Sequence, residues 1–86
     1  MKLTPQPGGG FVIEAQDLGP LLHLPPAEVP ALMAAGEITH RFEEGRDADT
    51  GRFRVTFLYK TKRLRFTVDA QGEVLAQSLI TLPAKA

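Results

Sequence analysis

The chain has 86 residues, 43% of them apolar and 23% charged, with ten Lys and Arg balancing ten Asp and Glu. It is too short for two independent cores and too apolar for a disordered chain, so it reads as one small domain that buries about 60–65% of its unfolded surface. No cysteine is present to form disulfides or thiolate metal sites, and no run of 18 apolar residues could cross a membrane as a helix.

The opening residues, Met1-Lys2-Leu3-Thr4-Pro5, lead into Gly8-Gly9-Gly10 rather than an apolar signal segment, which points to a cytoplasmic protein without a membrane partner. Pro5, Pro7 and the three glycines predict a flexible arm over 1–10, a folded domain over 11–82 and a fraying tail over 83–86. Phe11-Val12-Ile13-Glu14 is a short β-rich run after glycine and reads as a first strand. Asp17 is the expected cap of a short helix that places Leu18, Leu21 and Leu22 on one face, with Gly19 and Pro20 in its first turn. After Leu24-Pro25-Pro26 a second helix is expected at about 28–35, where Val29, Leu32 and Met33 repeat the spacing. Pro30 is tolerated near its start, which has no donor to lose, and Gly36 supplies the stop.

Beyond Gly36 the apolar period changes from 3.6 to 2. Ile38, His40 and Phe42 alternate with polar neighbours, as do Phe53, Val55, Phe57 and Tyr59, and then Leu64, Phe66 and Val68. Three such runs, followed by Val74–Ile80, predict a four-stranded antiparallel meander with one face packed on the helices, hence an α+β fold. Pairing Lys60 with Arg63 sets Phe57 opposite Phe66 and Arg54 opposite Asp69, whereas a slip by one residue mixes apolar with charged neighbours. Ala70-Gln71-Gly72 makes the next turn. The run 74–80 is apolar on both faces, so its second face calls for a cover. Residues 43–51 form a charged loop with no apolar anchor except one alanine, and mobility is expected there.

Charge is distributed unevenly. Residues 3–40 hold four acids and no Lys or Arg, whereas 41–65 hold eight basic residues against four acids. Arg52, Arg54, Arg63 and Arg65 project from the non-core sheet face, with Lys60 and Lys62 near the tip. Arginines gathered on one face suit phosphate or carboxylate groups, although the same charges also serve as a solvated, aggregation-resistant surface. His23 and His40 lack a metal-ligand spacing, and His40 sits on the apolar side between Ile38 and Phe42, where a core or boundary histidine is expected. Gly8-Gly9-Gly10 lacks the Lys-Ser/Thr of a phosphate loop, and Ser78, the only serine, lies in a strand. No catalytic residue, cofactor site or metal site is assigned.

The segment Asp17–Ile38, with Leu18, Leu21, Leu22, the Leu24-Pro25-Pro26-Ala27-Glu28 turn and Val29, Leu32 and Met33, resembles the helix pair of small excisionase-type winged-helix domains. A reading helix there exposes basic or amide side chains, whereas this one exposes Glu28, Pro30, Ala31, Ala34 and Ala35, so the resemblance is one of packing. Leu32-Met33-Ala34-Ala35-Gly36-Glu37-Ile38-Thr39, Glu44-Gly45 with Asp49-Thr50-Gly51-Arg52, and Arg63-Leu64-Arg65 with Val68-Asp69 and Gly72 resemble a family of short, uncharacterised proteobacterial proteins, a domain of unknown function. That resemblance implies no activity. The sequence thus predicts a small non-enzymatic binding or accessory module, using the basic sheet face or a sheet edge for an acidic protein or nucleic acid, as a monomer or weak homodimer. A nucleic-acid-binding regulator with a degenerate winged-helix-like helix pair is the alternative.

Overall fold

The computed structural model of the chain describes residues 1–45, 48 and 50–83. The elements are β1 (Thr4–Pro5), β2 (Phe11–Val12), α1 (Ala15–Leu21), a 3-10 turn (Pro26–Glu28), α2 (Val29–Ala34), β3 (Ile38–Glu44), β4 (Arg52–Tyr59), β5 (Lys62–Asp69) and β6 (Val74–Thr81). β3-β4-β5-β6 form an antiparallel sheet in that order, and β1 pairs with β2. The fold is α+β, with a four-stranded meander after two short helices.

Period-2 alternation puts Ile38, Val55, Phe57, Leu64, Phe66 and Val68 on one sheet face, where they are buried with Leu18, Leu22 and Val29 from the helical half. Phe66 is 0% and Phe57 3% exposed, and their rings meet edge to face at 6.1 Å. Leu32 and Met33 pack on this cluster from α2. Burying each such side chain contributes about 1.5–3 kcal/mol, which is why this layer holds so small a domain together.

The helices begin and end for local reasons. Asp17 and Leu18 both donate their N–H to the Glu14 carbonyl at 2.9 Å, so α1 has already started before the expected cap. Glu14 is the N-cap, and Asp17 lies in the first turn, where it favourably faces the positive helix end. Pro30 lies in the first turn of α2, as expected. That helix closes with Gly36 N–H on the Met33 carbonyl at 3.1 Å and Glu37 N–H on the Leu32 carbonyl at 2.9 Å, a Schellman ending.

Residues 1–10 are not an arm without regular structure. Gly8, Gly9 and Gly10 form the turn that returns β2 onto β1, pairing Thr4 with Val12 and Pro5 with Phe11. Leu3 is 1% exposed within the core, and its N–H donates to the Gly72 carbonyl at 2.7 Å. Gly72 has φ +88°, and a Cβ there would lie 1.9 Å from the Leu3 carbonyl oxygen, so the turn after β5 accepts only glycine while the segment is docked. Phe11 adds a second anchor, with ring centroids 5.4 Å from Phe53 and 5.8 Å from Phe42.

The sheet register differs by two residues from the expectation. Tyr59 pairs with Lys62, and the hairpin turn is Lys60-Thr61 with Lys60 at φ +54°. Because the side-chain period is also two, every face assignment survives while every partner changes. Val55 now faces Phe66, Phe57 faces Leu64, Arg54 faces Thr67 and Asp69 faces Arg52. β3 continues through Glu44, and Gly45 N–H donates to the Arg52 carbonyl at 2.8 Å, so the loop between β3 and β4 is shorter than 43–51. The expectations of mobility there and of a fraying tail fall partly on residues 46, 47, 49 and 84–86, outside the described residues.

Candidate anion-binding face

The second face of the sheet carries no helix. From the registers, its rows run Thr39–Leu58–Arg63–Ile80, then Arg41–Thr56–Arg65–Ser78, then Glu43–Arg54–Thr67–Ala76, and finally Arg52 with Asp69. Arg52, Arg54, Arg63 and Arg65 therefore share this open face, as the alternation predicts. Arg41 joins them and was missed, although its place between Thr39 and Glu43 carries the same period-2 signal.

Lys62 does not belong to the set. It has the parity of Leu64 and Phe66, and its Nζ donates to the Leu22 carbonyl at 3.4 Å on the helix side. Lys60, in the turn, places its ammonium 5.3 Å from the Tyr59 ring centroid.

Arg41 and Arg65 lie two strands apart in one row, about 9.5 Å, and Arg63 is one pleat from Arg65, about 6.7 Å. Arg65 Nε donates to Thr56 Oγ1 at 3.4 Å, fixing the base of its guanidinium and helping to cover Thr56, which is only 3% exposed. Arg63 Nε is buried and has no hydrogen-bond partner among the described residues. Leu58 and Ile80 flank Arg63 in its row and are 39% and 41% exposed. The centre of the face is thus cationic with an apolar margin.

The acids lie toward one end. Glu43 is directly opposite Arg54, and Asp69 opposite Arg52 rather than opposite Arg54. Asp69 is engaged elsewhere, because its Oδ1 accepts the Gln71 and Glu73 N–H groups, each at 2.9 Å, and so builds the turn to β6. Among the described residues no carboxylate comes within ion-pair distance of the five arginines. At this end an open groove of about 460 Å³ lies among Glu43, Glu44, Arg52, Arg54, Thr67 and Ala76. Its mixed charge sets it apart from the wholly basic centre.

The histidines stay apart from this face. His23 is exposed at φ +59° after α1, and His40 is exposed on the helix side of β3, its ring 6.3 Å from that of Phe57. Among the described residues no group of three His, Asp or Glu side chains is placed to hold a metal ion. No helix there is long and apolar enough to cross a membrane. α2 has six residues and exposes Pro30, Ala31 and Ala34, while its Val29, Leu32 and Met33 lie in or against the core.

Neither the curated proteins nor the solved structures contain a match to this chain. One family model matches it from residue 1 to residue 86, so the residues quoted from α2, β3 and the β4–β5 hairpin belong to a pattern that spans the entire chain, and the protein is a member of the family of unknown function DUF6522.

Proposed function

We propose that the protein is a small non-enzymatic binding module that receives an acidic partner on the open face of its sheet. The observation that carries this reading is the row Arg41–Thr56–Arg65, with Arg63 beside it, on a face without a helix and without an ion-pair partner among the described residues. Like charges held at these spacings repel one another, and a ligand's carboxylates or phosphates relieve that repulsion with charge-assisted hydrogen bonds. Thr56 helps by orienting Arg65 before the ligand arrives. The setting in this reading is a bacterial cell, following the family resemblance.

The test is fluorescence anisotropy of the full chain with labelled poly-glutamate, single-stranded RNA and duplex DNA, over a salt series. Wild type is expected to bind the acidic peptide, and Arg41→Glu with Arg65→Glu to weaken it by at least about tenfold, as two charge-assisted contacts become repulsive. Binding confined to nucleic acid, with a log–log salt slope of about −0.7 to −0.9 per phosphate contact, would favour the nucleic-acid regulator instead. A folded double variant that binds every probe like wild type would show the arginines to be a solvated surface only.

A further inference from the structure

We propose that the outer edge of β6 pairs with the same edge of a second copy, giving a two-fold homodimer with one continuous eight-stranded antiparallel sheet. β6 is an edge strand of eight residues, Val-Leu-Ala-Gln-Ser-Leu-Ile-Thr, with no charge and no proline. Leu75, Leu79 and Ile80 are 49%, 43% and 41% exposed. Natural edges are normally blunted by charge, proline or a cover, because their free N–H and C=O groups template pairing. The opposite edge, β3, follows that rule with Arg41, Glu43 and Glu44.

The hydrogen-bond alternation shows which groups are free. Leu82 N–H donates to the Thr61 carbonyl across the β5–β6 pair, so residues 76, 78, 80 and 82 point their peptide groups inward. Those of Gln77, Leu79 and Thr81 point outward, and among the described residues nothing pairs with them. The stretch is bounded at its near end, where the register shifts between Thr67 and Val68 and the Val74 N–H is taken by the Met1 carbonyl at 3.2 Å.

Charge selects the occupant. Pairing β6 with β3 of another copy would set Arg41, Glu43 and Glu44 against an uncharged strand, whereas β6 on β6 sets neutral residues against neutral residues in every register. A two-fold axis normal to the sheet also keeps both helix layers on one side, so the apolar side chains of the two strands meet in matching layers. The two Arg65 side chains then lie three strand spacings apart, about 14 Å, beyond a Debye length at physiological salt, so the basic faces do not oppose assembly. The inference is independent of what those faces bind.

Sedimentation equilibrium of the full chain in the micromolar range is expected to give twice the 9.4 kDa chain mass. Leu79→Lys should weaken the dimer at least about tenfold by setting unpaired charge in the seam, while Thr39→Lys, the same charge on the β3 edge, should leave it unchanged. Circular dichroism checks that both variants fold. If Leu79→Lys does not, wild-type amide exchange decides, because the Gln77 and Leu79 N–H groups should exchange more slowly as protein concentration rises. A monomer at every concentration, a Leu79→Lys dimer as tight as wild type, or concentration-independent exchange at those amides would each overturn the proposal.

Discussion

Replacing Gly72 by alanine tests how the N-terminal segment is held. A Cβ at this position meets the Leu3 carbonyl oxygen at 1.9 Å and the carbonyl carbon at 2.9 Å, both backbone atoms that cannot rotate away. The added methyl must therefore push the segment off the sheet, and with it Leu3, which is 1% exposed. Losing a buried leucine costs about 2–5 kcal/mol, and holding alanine at a left-handed φ costs about 1–2 kcal/mol. Gly36 isolates the second effect, since it has φ +75° with nothing within 4 Å of a Cβ. Gly36→Ala is thus expected to cost about 1–2 kcal/mol and Gly72→Ala about 3 kcal/mol or more. At roughly 4–8 °C per kcal/mol for a domain of this size, Gly72→Ala should lower Tm by at least about 12 °C. Urea denaturation of both variants, with Leu3→Ala and the Leu3→Ala/Gly72→Ala double variant, completes the measurement. The double variant should lose less than the two single losses combined, because the leucine contacts are removed only once. Equal losses at Gly72 and Gly36 would refute the steric argument, and strict additivity would show that Leu3 is not what the methyl displaces.

Phe66→Ala should cost about 3–5 kcal/mol in urea denaturation, a large share of the stability of a small domain. Asp69→Ala should cost about 1–2 kcal/mol by freeing the Gln71 and Glu73 N–H groups, and Asp69→Asn less, because its side-chain carbonyl still accepts. Lys62→Glu is expected to leave acidic-peptide affinity within about twofold of wild type in the anisotropy assay, since its side chain lies on the helix side near Leu22. Amide exchange should be slowest in β4 and β5, the two strands paired on both edges, and faster along β3.

The sheet was legible because alternation is a local property. Val55, Phe57, Leu64, Phe66 and Val68 declare their face without knowledge of any partner, and so do Arg54, Arg63 and Arg65. Register was less legible, because pairing Phe57 with Phe66 or with Leu64 sets apolar against apolar in either case. The choice rests on the turn, which has two residues in either register but falls on Lys60-Thr61, where Lys60 accepts φ +54°. That shift of two moved Asp69 from Arg54 to Arg52, within the end of the face that holds the acids. The docked N-terminus was hidden for a different reason. Pro5, Pro7 and three glycines have the composition of a linker, and the contact that orders them lies at Gly72, out of reach of any local pattern. Arg41 carries the same alternation as its neighbours, and the β3–β4 register sets it beside the arginines of β4 and β5.

The docking of Leu3 beside Gly72 also bears on the order in which the molecule assembles. β3 to β6 close through successive hairpins, whereas Leu3 meets a residue 69 positions along the chain. Loop-closure entropy grows as about (3/2)RT ln n, so this contact carries a larger entropic penalty than the hairpins and gains its compensating burial only once the sheet exists. The N-terminal segment is accordingly the last part to lock and the first to release. Contacts that form this late are missing from the folding transition state, so Leu3→Ala is expected to accelerate unfolding while leaving the refolding rate nearly unchanged, as stopped-flow measurements would check. The segment works as a kinetic latch on a meander that nucleates without it.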